Sequence, residues 1–431
     1  MSLSGMYTGV SGLTAMGSAM AIIGDNIANA GTTAFKASRG EFADVISSNL
    51  KGVLGGNQIG RGVVLTAVTP LFSQGNLTPS ERDSDMAIRG DGFFVTKAQG
   101  SAGEISYTRD GSFRFDAQGR MTTSDGNLIQ GYKINAISEK QEPALTDVQF
   151  SSNIIPAKGT TSVKIDSNLD VRKPVNMTKF SVENADKSSD YATSLKFYDS
   201  TGTAQSLNVY FYKAAESDWK WYATADGGVL QGGKEGTTQQ IAEGKLSFTK
   251  DGKLASDELI SSSINFRGAT PNQKIDFNFG DSIITRKGTG LQGTTQYGSN
   301  STIYRQVQDG YAAGSLTNFS IDDTGTVSGA YSNGVAKPLA QIAIARFENN
   351  EGLYKAGNNR WKEAVNSGQP LIGRAGEAGR GVVMAKTLES SNVDLAGEFV
   401  HMMGNQRNFQ ANAKTITTSD ELLQEVIQLK R

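Results

Sequence analysis

The sequence predicts a mostly β multidomain protein with an α-helix at each end. Three observations predict this class. Near both termini, apolar residues recur at spacings of three or four, which is the period of one helix face. Between the termini, short runs of alternating apolar and polar residues are separated by turn residues. Glycine contributes 50 of the 431 residues and proline only 8, a composition typical of many tight turns between short strands.

The amino-terminal helix is predicted from a single apolar stripe. No charged residue precedes Asp25, so the segment lacks the basic region of a secretory signal, and its many serines and glycines are untypical of a membrane span. We therefore expect no cleavable signal peptide and no membrane insertion. Glycines on the helix weaken it in isolation, but they let another backbone come close. The stripe consists of Leu3, Met6, Val10, Leu13, Met16, Met20, Ile23 and Ile27.

A second helix is predicted from about Asp394 to Arg431, a segment without proline and with little glycine. Ser419 stands before two acidic residues and resembles a helix N-cap, which allows a kink or a restart at that point. The chain is thus predicted to carry a helix at each end. The apolar positions of the second helix are Phe399, Met403, Ile416, Leu423, Val426 and Ile427.

Two similar hairpins indicate a β domain that is interrupted by an insertion. The pattern Phe-x-[Phe/Ile]-Asp-x-x-Gly-x-[Met/Val] occurs at 113–121 and again at 319–327. We expect both hairpins in one β domain. The insertion, roughly 146–290, has alternating strands and hairpin turns of its own. Its aromatic residues, including Trp219 and Trp221, are interpreted as core and cross-strand pairs rather than as a sugar platform.

Composition excludes much ordinary catalysis. Cysteine is absent and His401 is the one histidine, so disulfides, thiolate nucleophiles and cysteine-containing metal sites are excluded. The formal net charge of −1 gives no general attraction to nucleic acid or to an anionic membrane. Paired carboxylates of the glycosidase type stay possible, but the sequence places no such pair. We predict no catalytic residue, no cofactor and no metal.

Residues 288–293 match the pattern Gly-x-Gly-x-x-Gly. A dinucleotide site needs a helix that begins inside this pattern, because the helix N-terminus binds the pyrophosphate. The residues that follow are not typical of a helix. We therefore interpret the segment as a linker that leaves the insertion.

Both ends of the chain resemble the signatures of the bacterial flagellar rod and hook protein family. The family typically has glycine where this sequence has Ala34, so we expect a slightly different turn there. The length and the inserted β domain resemble the hook proteins of the family more than its shorter rod proteins. The matching segments are residues 4–13, 25–29, 33–36, 388–395 and 406–414.

This resemblance implies that the terminal helices pair in a coiled-coil-like inner domain, followed by a split β domain and an inserted outer β domain. Many copies would stack helically into the hook, a curved flexible tube that transmits torque from rod to filament and encloses the export channel. The protein would lie outside the cell, exported without a cleavable signal peptide. The implied domains are 1–70 and 376–431 (inner), 71–145 and 291–375 (middle) and 146–290 (outer).

The resemblance also implies partners and an interface. The partners are further copies of the chain, the distal rod, the hook cap, the hook–filament junction proteins and the export apparatus, with no nucleic acid. The assembly interface combines the apolar helix positions with residues of the signatures. It consists of Leu3, Met6, Val10, Leu13, Met16, Met20, Ile23, Asn26, Ile27, Asn29, Phe35, Asn392, Phe399, Met403, Phe409, Asn412, Ile416, Leu423, Val426 and Ile427.

Two alternatives stay open at this point. One is a different axial component, such as a distal rod or hook-junction protein. The other is a secreted β-rich enzyme acting on polysaccharide, which would need paired carboxylates in a cleft.

Since a glycine-rich helix with one partner buries too little surface to offset its ordering entropy, we also expect terminal segments that fold largely on polymerisation.

Overall fold

The computed structural model describes residues 2–45, 48–49, 58–100, 103–135, 141–150, 154–262 and 264–428, with backbone only at 2–4, 48–49, 58–59 and 426. The side chains of Leu3 and Val426, two predicted interface positions, therefore lie outside the described residues. The chain divides into two compact units. Unit 1 is Met1–Ser151, Asn318–Gly329 and Ala336–Arg431, and unit 2 is Ser152–Thr317 and Ala330–Val335.

Three α-helices and thirty strands occur in the described residues. The helices are α1 (Ser2–Ala28), α2 (Ala185–Ser188) and α3 (Leu395–Gln428). The first strands are β1 (Ser38–Asp44), β2 (Ser48–Asn49), β3 (Gln58–Ile59), β4 (Val63–Pro70), β5 (Leu77–Pro79), β6 (Met86–Arg89), β7 (Phe93–Lys97), β8 (Ile105–Thr108), β9 (Arg114–Phe115), β10 (Met121–Thr122), β11 (Leu128–Ile134) and β12 (Gln141–Asp147). Those of unit 2 are β13 (Ile154–Ile155), β14 (Ser162–Asn168), β15 (Tyr191–Tyr198), β16 (Ala204–Lys213), β17 (Asp218–Asp226), β18 (Thr238–Phe248), β19 (Leu254–Ser262), β20 (Asp276–Asn278) and β21 (Thr302–Gln308). The last are β22 (Gly314–Ile321), β23 (Thr326–Tyr331), β24 (Ala336–Ile342), β25 (Ile344–Arg346), β26 (Tyr354–Gly357), β27 (Arg360–Lys362), β28 (Leu371–Gly373), β29 (Val382–Ala385) and β30 (Thr387–Glu389).

Unit 1 is built on one large sheet with the strand order β22-β23-β24-β11-β7-β8-β27-β26. Successive residues of a strand point to opposite faces, so the sheet has two apolar clusters. One contains Phe94 and Ile342, and the other contains Phe93 and Trp361. The short antiparallel pairs β5–β30 and β6–β29 join the segment before α3 to the amino-terminal half of the unit.

The two similar hairpins both lie in unit 1, which confirms that they share one β domain. In each turn the aspartate, Asp116 or Asp322, accepts hydrogen bonds from the amides two and four residues later. The third residue after the aspartate is a glycine with a positive φ, 74° in one turn and 78° in the other. The rings of Phe115 and Phe319 lie 4.9 Å apart between centroids, so the hairpins also pack together.

Unit 2 contains a five-stranded antiparallel sheet, β15 to β19 in chain order. A three-stranded sheet places β14 between β20 and β21. Trp219 and Trp221 are buried on one face of β17, and the ring of Trp221 lies 4.7 Å from that of Phe277. The interpretation of these aromatic residues as core is confirmed.

The glycine-rich segment 288–293 is an ordered loop of unit 2, and no helix begins in it. The carboxylate of Asp281 accepts hydrogen bonds from the amides of Thr289 (2.9 Å) and Gln292 (2.8 Å). A Cβ on Gly293 would lie 2.3 Å from the Cα of Gly280, so close backbone approach explains that glycine. Since unit 2 continues to residue 317, the interpretation as a linker leaving the insertion is wrong.

The terminal helices are long and continuous. No restart occurs near Ser419, because its hydroxyl donates to the carbonyl of Thr415 inside an unbroken helix. Residues 5–28 form, within the described ranges, one helix whose length and mean hydropathy of 1.3 would suffice to cross a membrane. The packing of this helix against α3 accounts for part of its apolar character.

Candidate assembly surface

Helices α1 and α3 run antiparallel and pair along their length. A Cβ on Gly5 would lie 3.5 Å from Ser419 Oγ, and one on Gly12 would lie 2.7 Å from Asn412 Nδ2. At the other end of the pair, Asn26 Nδ2 donates to Glu398 Oε1 at 2.9 Å. These three contacts lie seven and fourteen positions apart on both helices, in agreement with the seven-residue repeat of a coiled coil. The contacting residues are Gly5, Gly12 and Asn26 on α1 and Ser419, Asn412 and Glu398 on α3.

Small residues form most of the buried face of α1. Gly9, Gly12, Ala15 and Ala19 are all buried, and a Cβ on Gly9 would lie 2.8 Å from Ile416 Cγ1. The prediction that small residues let another backbone come close is therefore confirmed, and that backbone belongs to α3.

The large apolar residues of α1 are only partly covered in the single chain. Ile23 is the one member of the predicted stripe, among those whose side chains the structure describes, that is buried. Val10 is 47% exposed, and Tyr7, which the stripe did not include, is 70% exposed. The half-buried members are Met6, Leu13, Met16, Met20 and Ile27.

On α3 the predicted residues divide between two faces. Asn412 and Ile416 meet α1, and Leu423 is half-buried. The others are exposed, as is Val400, which the sequence analysis did not select. The exposed fractions are 52% for Phe399, 52% for Met403, 37% for Phe409 and 68% for Ile427.

Asparagines of the two terminal signatures connect the ends of the chain. The side chain of Asn26 is 1% exposed, and it bonds the backbone of Ser38 through both its oxygen and its nitrogen. Asn392 Oδ1 accepts from the amide of Ala37 at 2.8 Å, while its Nδ2 donates to Leu71 O at 2.8 Å. These asparagines therefore fix the start of β1 and the residue after β4 to the segment around the start of α3.

Asn29 and Phe35 have more local surroundings. Asn29 Nδ2 donates to the carbonyl and the carboxylate of Asp25, one turn earlier, and so caps the end of α1. Phe35 is 3% exposed, and Lys355 Nζ lies 4.8 Å from its ring centroid. In the isolated chain neither side chain belongs to an uncovered surface of the helix pair.

Ala34, which stands where the family usually has glycine, adopts the left-handed conformation with φ of 56°. It is buried, and its amide donates to Glu389 O at 2.8 Å. The slightly different turn expected here stays a prediction. The alanine takes a backbone conformation that glycine adopts without strain.

A buried ionic cluster between the signatures was missed by the sequence analysis. Lys36 Nζ lies 2.6 Å from Glu389 Oε1, and both side chains are 0% exposed. Arg109 Nη1 lies 3.5 Å from Glu389 Oε2. Burial lowers the pKa of Lys36 and that of Arg109, while Glu389 opposes both shifts. The sequence signal that could have predicted this ion pair was the presence of one basic residue, Lys36, and one acidic residue, Glu389, in the two terminal signatures.

His401 is exposed on α3 and lines a groove of about 310 Å³ with Ala19, Asn26 and Glu398. No group of three or more His, Asp or Glu that could hold a metal occurs in the part of the chain that the structure describes. The site thus consists of helix surfaces and a buried junction.

Family models of flagellar axial proteins match four parts of the chain. They are those of the flagella basal body rod protein (residues 6–36), the flagellar hook protein FlgE/F/G D1 domain (87–184), the flagellar basal body protein FlaE D2 domain (164–311) and the flagellar basal body rod FlgEFG protein C-terminal (384–429).

The chain is similar over nearly its full length to flagellar hook proteins. The chain is 34% identical to the flagellar hook protein FlgE of Escherichia coli over 98% of both chains. It is 33% identical to that of Treponema pallidum over 99% of both. The crystal structure of the Helicobacter pylori flagellar hook protein FlgE2 matches 73% of this chain and 100% of its own, with a TM-score of 0.52 at 16% identity, and shares the fold. Since the similarity extends over nearly the whole sequence at this level of identity, the chain belongs to the flagellar hook protein family.

Proposed function

We propose that this chain polymerises through the uncovered apolar faces of α1 and α3 into a curved tube that transmits torque and encloses an export channel. Family membership makes the chain a structural subunit of the flagellar hook and not an enzyme. Full-length similarity to hook proteins also favours the hook over the distal rod or a hook-junction protein.

One observation supports the interface most directly. Helices α1 and α3 contact each other mainly through small residues of α1. Large apolar side chains on both helices stay exposed to solvent, with Tyr7 70% and Ile427 68% exposed. Burying such side chains contributes roughly 1.5–3 kcal/mol each, and further copies of the chain would supply the cover. A contact between different faces of identical subunits that does not close on itself produces a helical polymer.

The layers and partners are also proposed. Residues 1–70 and 376–431 would form the inner layer. Unit 2, which extends to residue 317 and so beyond the bound of 290 set by sequence, would form the outer layer. The middle layer would then consist of 71–145 and of the part of 291–375 that lies in unit 1. The distal rod, the hook cap, the hook–filament junction proteins and the export apparatus would be the further partners. Export would proceed without a cleavable signal peptide to a site outside the cell.

The test is sedimentation of the purified full chain over a range of concentrations, with electron microscopy of the pellet. We expect tubes above a critical concentration, and a higher critical concentration for the variant Phe399→Ser/Met403→Ser. The matched control is Ile260→Ser in β19, because Ile260 is 59% exposed but belongs to unit 2. Equal critical concentrations for the helix variant and the control would contradict the proposed interface.

A further inference from the structure

The buried cluster of Lys36, Glu389 and Arg109 holds one negative and two positive formal charges. The three side chains are 0%, 0% and 4% exposed. Within the described residues, Glu389 is the one carboxylate that forms an ion pair with either cation, and Asp91 acts on Arg109 at longer range. Because buried charges need partners, the consequence of removing one member depends on which member is removed.

Removing the Glu389 carboxylate leaves two buried positive charges without a negative partner. Removing the Lys36 ammonium leaves one negative charge, on Glu389, and one positive charge, on Arg109. The variant Lys36→Met also leaves neither of the two acceptors of the lysine without a donor. Ser73 O still accepts from Asn392 Nδ2 at 3.2 Å, and Glu389 Oε1 still accepts from the amide of Gly75 at 2.9 Å. Methionine has a length and flexibility close to those of the lysine stem. Unit 1 should therefore keep its stability without Lys36.

Lys36 nonetheless connects three segments of unit 1. Its Nζ donates to Ser73 O at 2.8 Å and to Glu389 Oε1 at 2.6 Å. It follows α1, which ends at Ala28, and Glu389 precedes α3, which begins at Leu395. The ammonium group thereby ties the segment after one terminal helix to the segment before the other and to the segment before β5.

We propose that Lys36 is a positioning residue for assembly. It holds the segment after α1 against the segment before α3, so that the uncovered faces of the two helices have the relative placement that polymerisation needs. This role rests on the proposed function. In this role the ion pair contributes little to the stability of the folded chain and much to the geometry of its assembly surface.

The experiment compares the full chain with Lys36→Met, Glu389→Gln and the control Lys362→Met, which removes the partly exposed ion pair of Lys362 with Glu104. Three quantities are measured for each: the critical concentration, the thermal unfolding midpoint and hydrogen exchange of the amides at 34–37 and 389–392. For Lys36→Met we expect a critical concentration raised about tenfold, equivalent to about 1.4 kcal/mol. Its midpoint should stay within a few degrees of the parent, with faster exchange confined to the two segments.

Glu389→Gln should instead lower the midpoint, and Lys362→Met should change none of the three quantities. The positioning role is overturned if Lys36→Met assembles like the parent. It is equally overturned if its midpoint falls as far as that of Glu389→Gln and exchange rises throughout unit 1. If the parent chain forms no polymer, the proposed function fails, and the exchange measurement still decides whether Lys36 holds the two segments together.

Discussion

Gly12 of α1 and Asn412 of α3 lie so close that a Cβ on the glycine would be 2.7 Å from the asparagine Nδ2. Both residues belong to segments that carry the family signatures at opposite ends of the sequence. The two signature segments therefore contact each other in the fold, and this contact sets how closely the two helices approach.

We expect Gly12→Leu to separate the helices, because the new side chain would occupy the position of Asn412. The matched control is Gly17→Leu on the same helix, since a Cβ at Gly17 meets nothing within 4 Å. Leucine also favours a helix by up to about 1 kcal/mol over glycine, so the control should gain helicity. Far-UV circular dichroism and limited proteolysis at concentrations at which the parent polymerises measure both effects, because the terminal helices of the monomer are expected to be cut in every variant. Equal protection of the two variants would contradict the contact.

Limited proteolysis of the purified monomer should remove about 30–70 residues from each end and leave a resistant β core. The helices pair within one chain, yet mostly through small residues, so their pairing buries little apolar surface. In the polymer the same ends should become resistant, because neighbouring copies cover the larger side chains. Mass spectrometry of the fragments measures this. Ends as resistant as the core in the monomer would contradict folding on assembly.

At Ala34 we expect Ala34→Gly to stabilise the chain by less than about 1 kcal/mol. Relief of the left-handed conformation contributes about 1–2 kcal/mol, and loss of a buried methyl group costs about 0.8 kcal/mol. Ala34→Val should destabilise by about 2 kcal/mol or more, because a β-branched residue is strained at this φ. Denaturant unfolding compares the three proteins. A valine variant as stable as the parent would contradict the strain.

The stability of unit 2 should depend on Asp309 in acid. Burial alone would raise the pKa of Asp309, but hydrogen bonds from Lys158, Thr161 and Ser162 outweigh it and lower the pKa to about 2. This is below the unfolded value of about 3.9, so the stabilisation is present above that pH and is lost as the pH falls toward 2.

Asp309→Asn should accordingly cost about 1–3 kcal/mol at pH 7, and the difference from the parent should shrink as the pH falls from about 5 to about 2. Urea unfolding followed by tryptophan fluorescence measures it, since Trp219 and Trp221 lie in unit 2. The control is Glu258→Gln at an exposed position. A difference that is independent of pH would contradict the assignment to the Asp309 carboxylate.

Features set by local sequence were predictable. Helix periodicity located α1 and α3, and aspartate-to-glycine turns located hairpins such as those at Asp116 and Asp322. These patterns need only a few neighbouring residues to form.

Features set by contacts between distant parts of the chain were not predictable from the sequence. Periodicity selected the large residues of α1 as its interface, but their exposure depends on where α3 lies. The structure shows α3 on the face of Gly12 instead, leaving the selected residues for other contacts. The pair Lys36–Glu389 joins residues 353 positions apart in the chain, and no local pattern encodes such a partner.

The seven-residue recurrence of contacts on α1 and α3 also has a mechanical consequence. A straight α-helix drifts by about 20° in each seven residues, so contacts that keep this repeat require the two helices to wind around each other with a left hand. A twist about the axis of the pair tightens such a winding in one sense and loosens it in the other. Twisting the α1–α3 pair about its axis in one direction is therefore not mechanically equivalent to twisting it in the other.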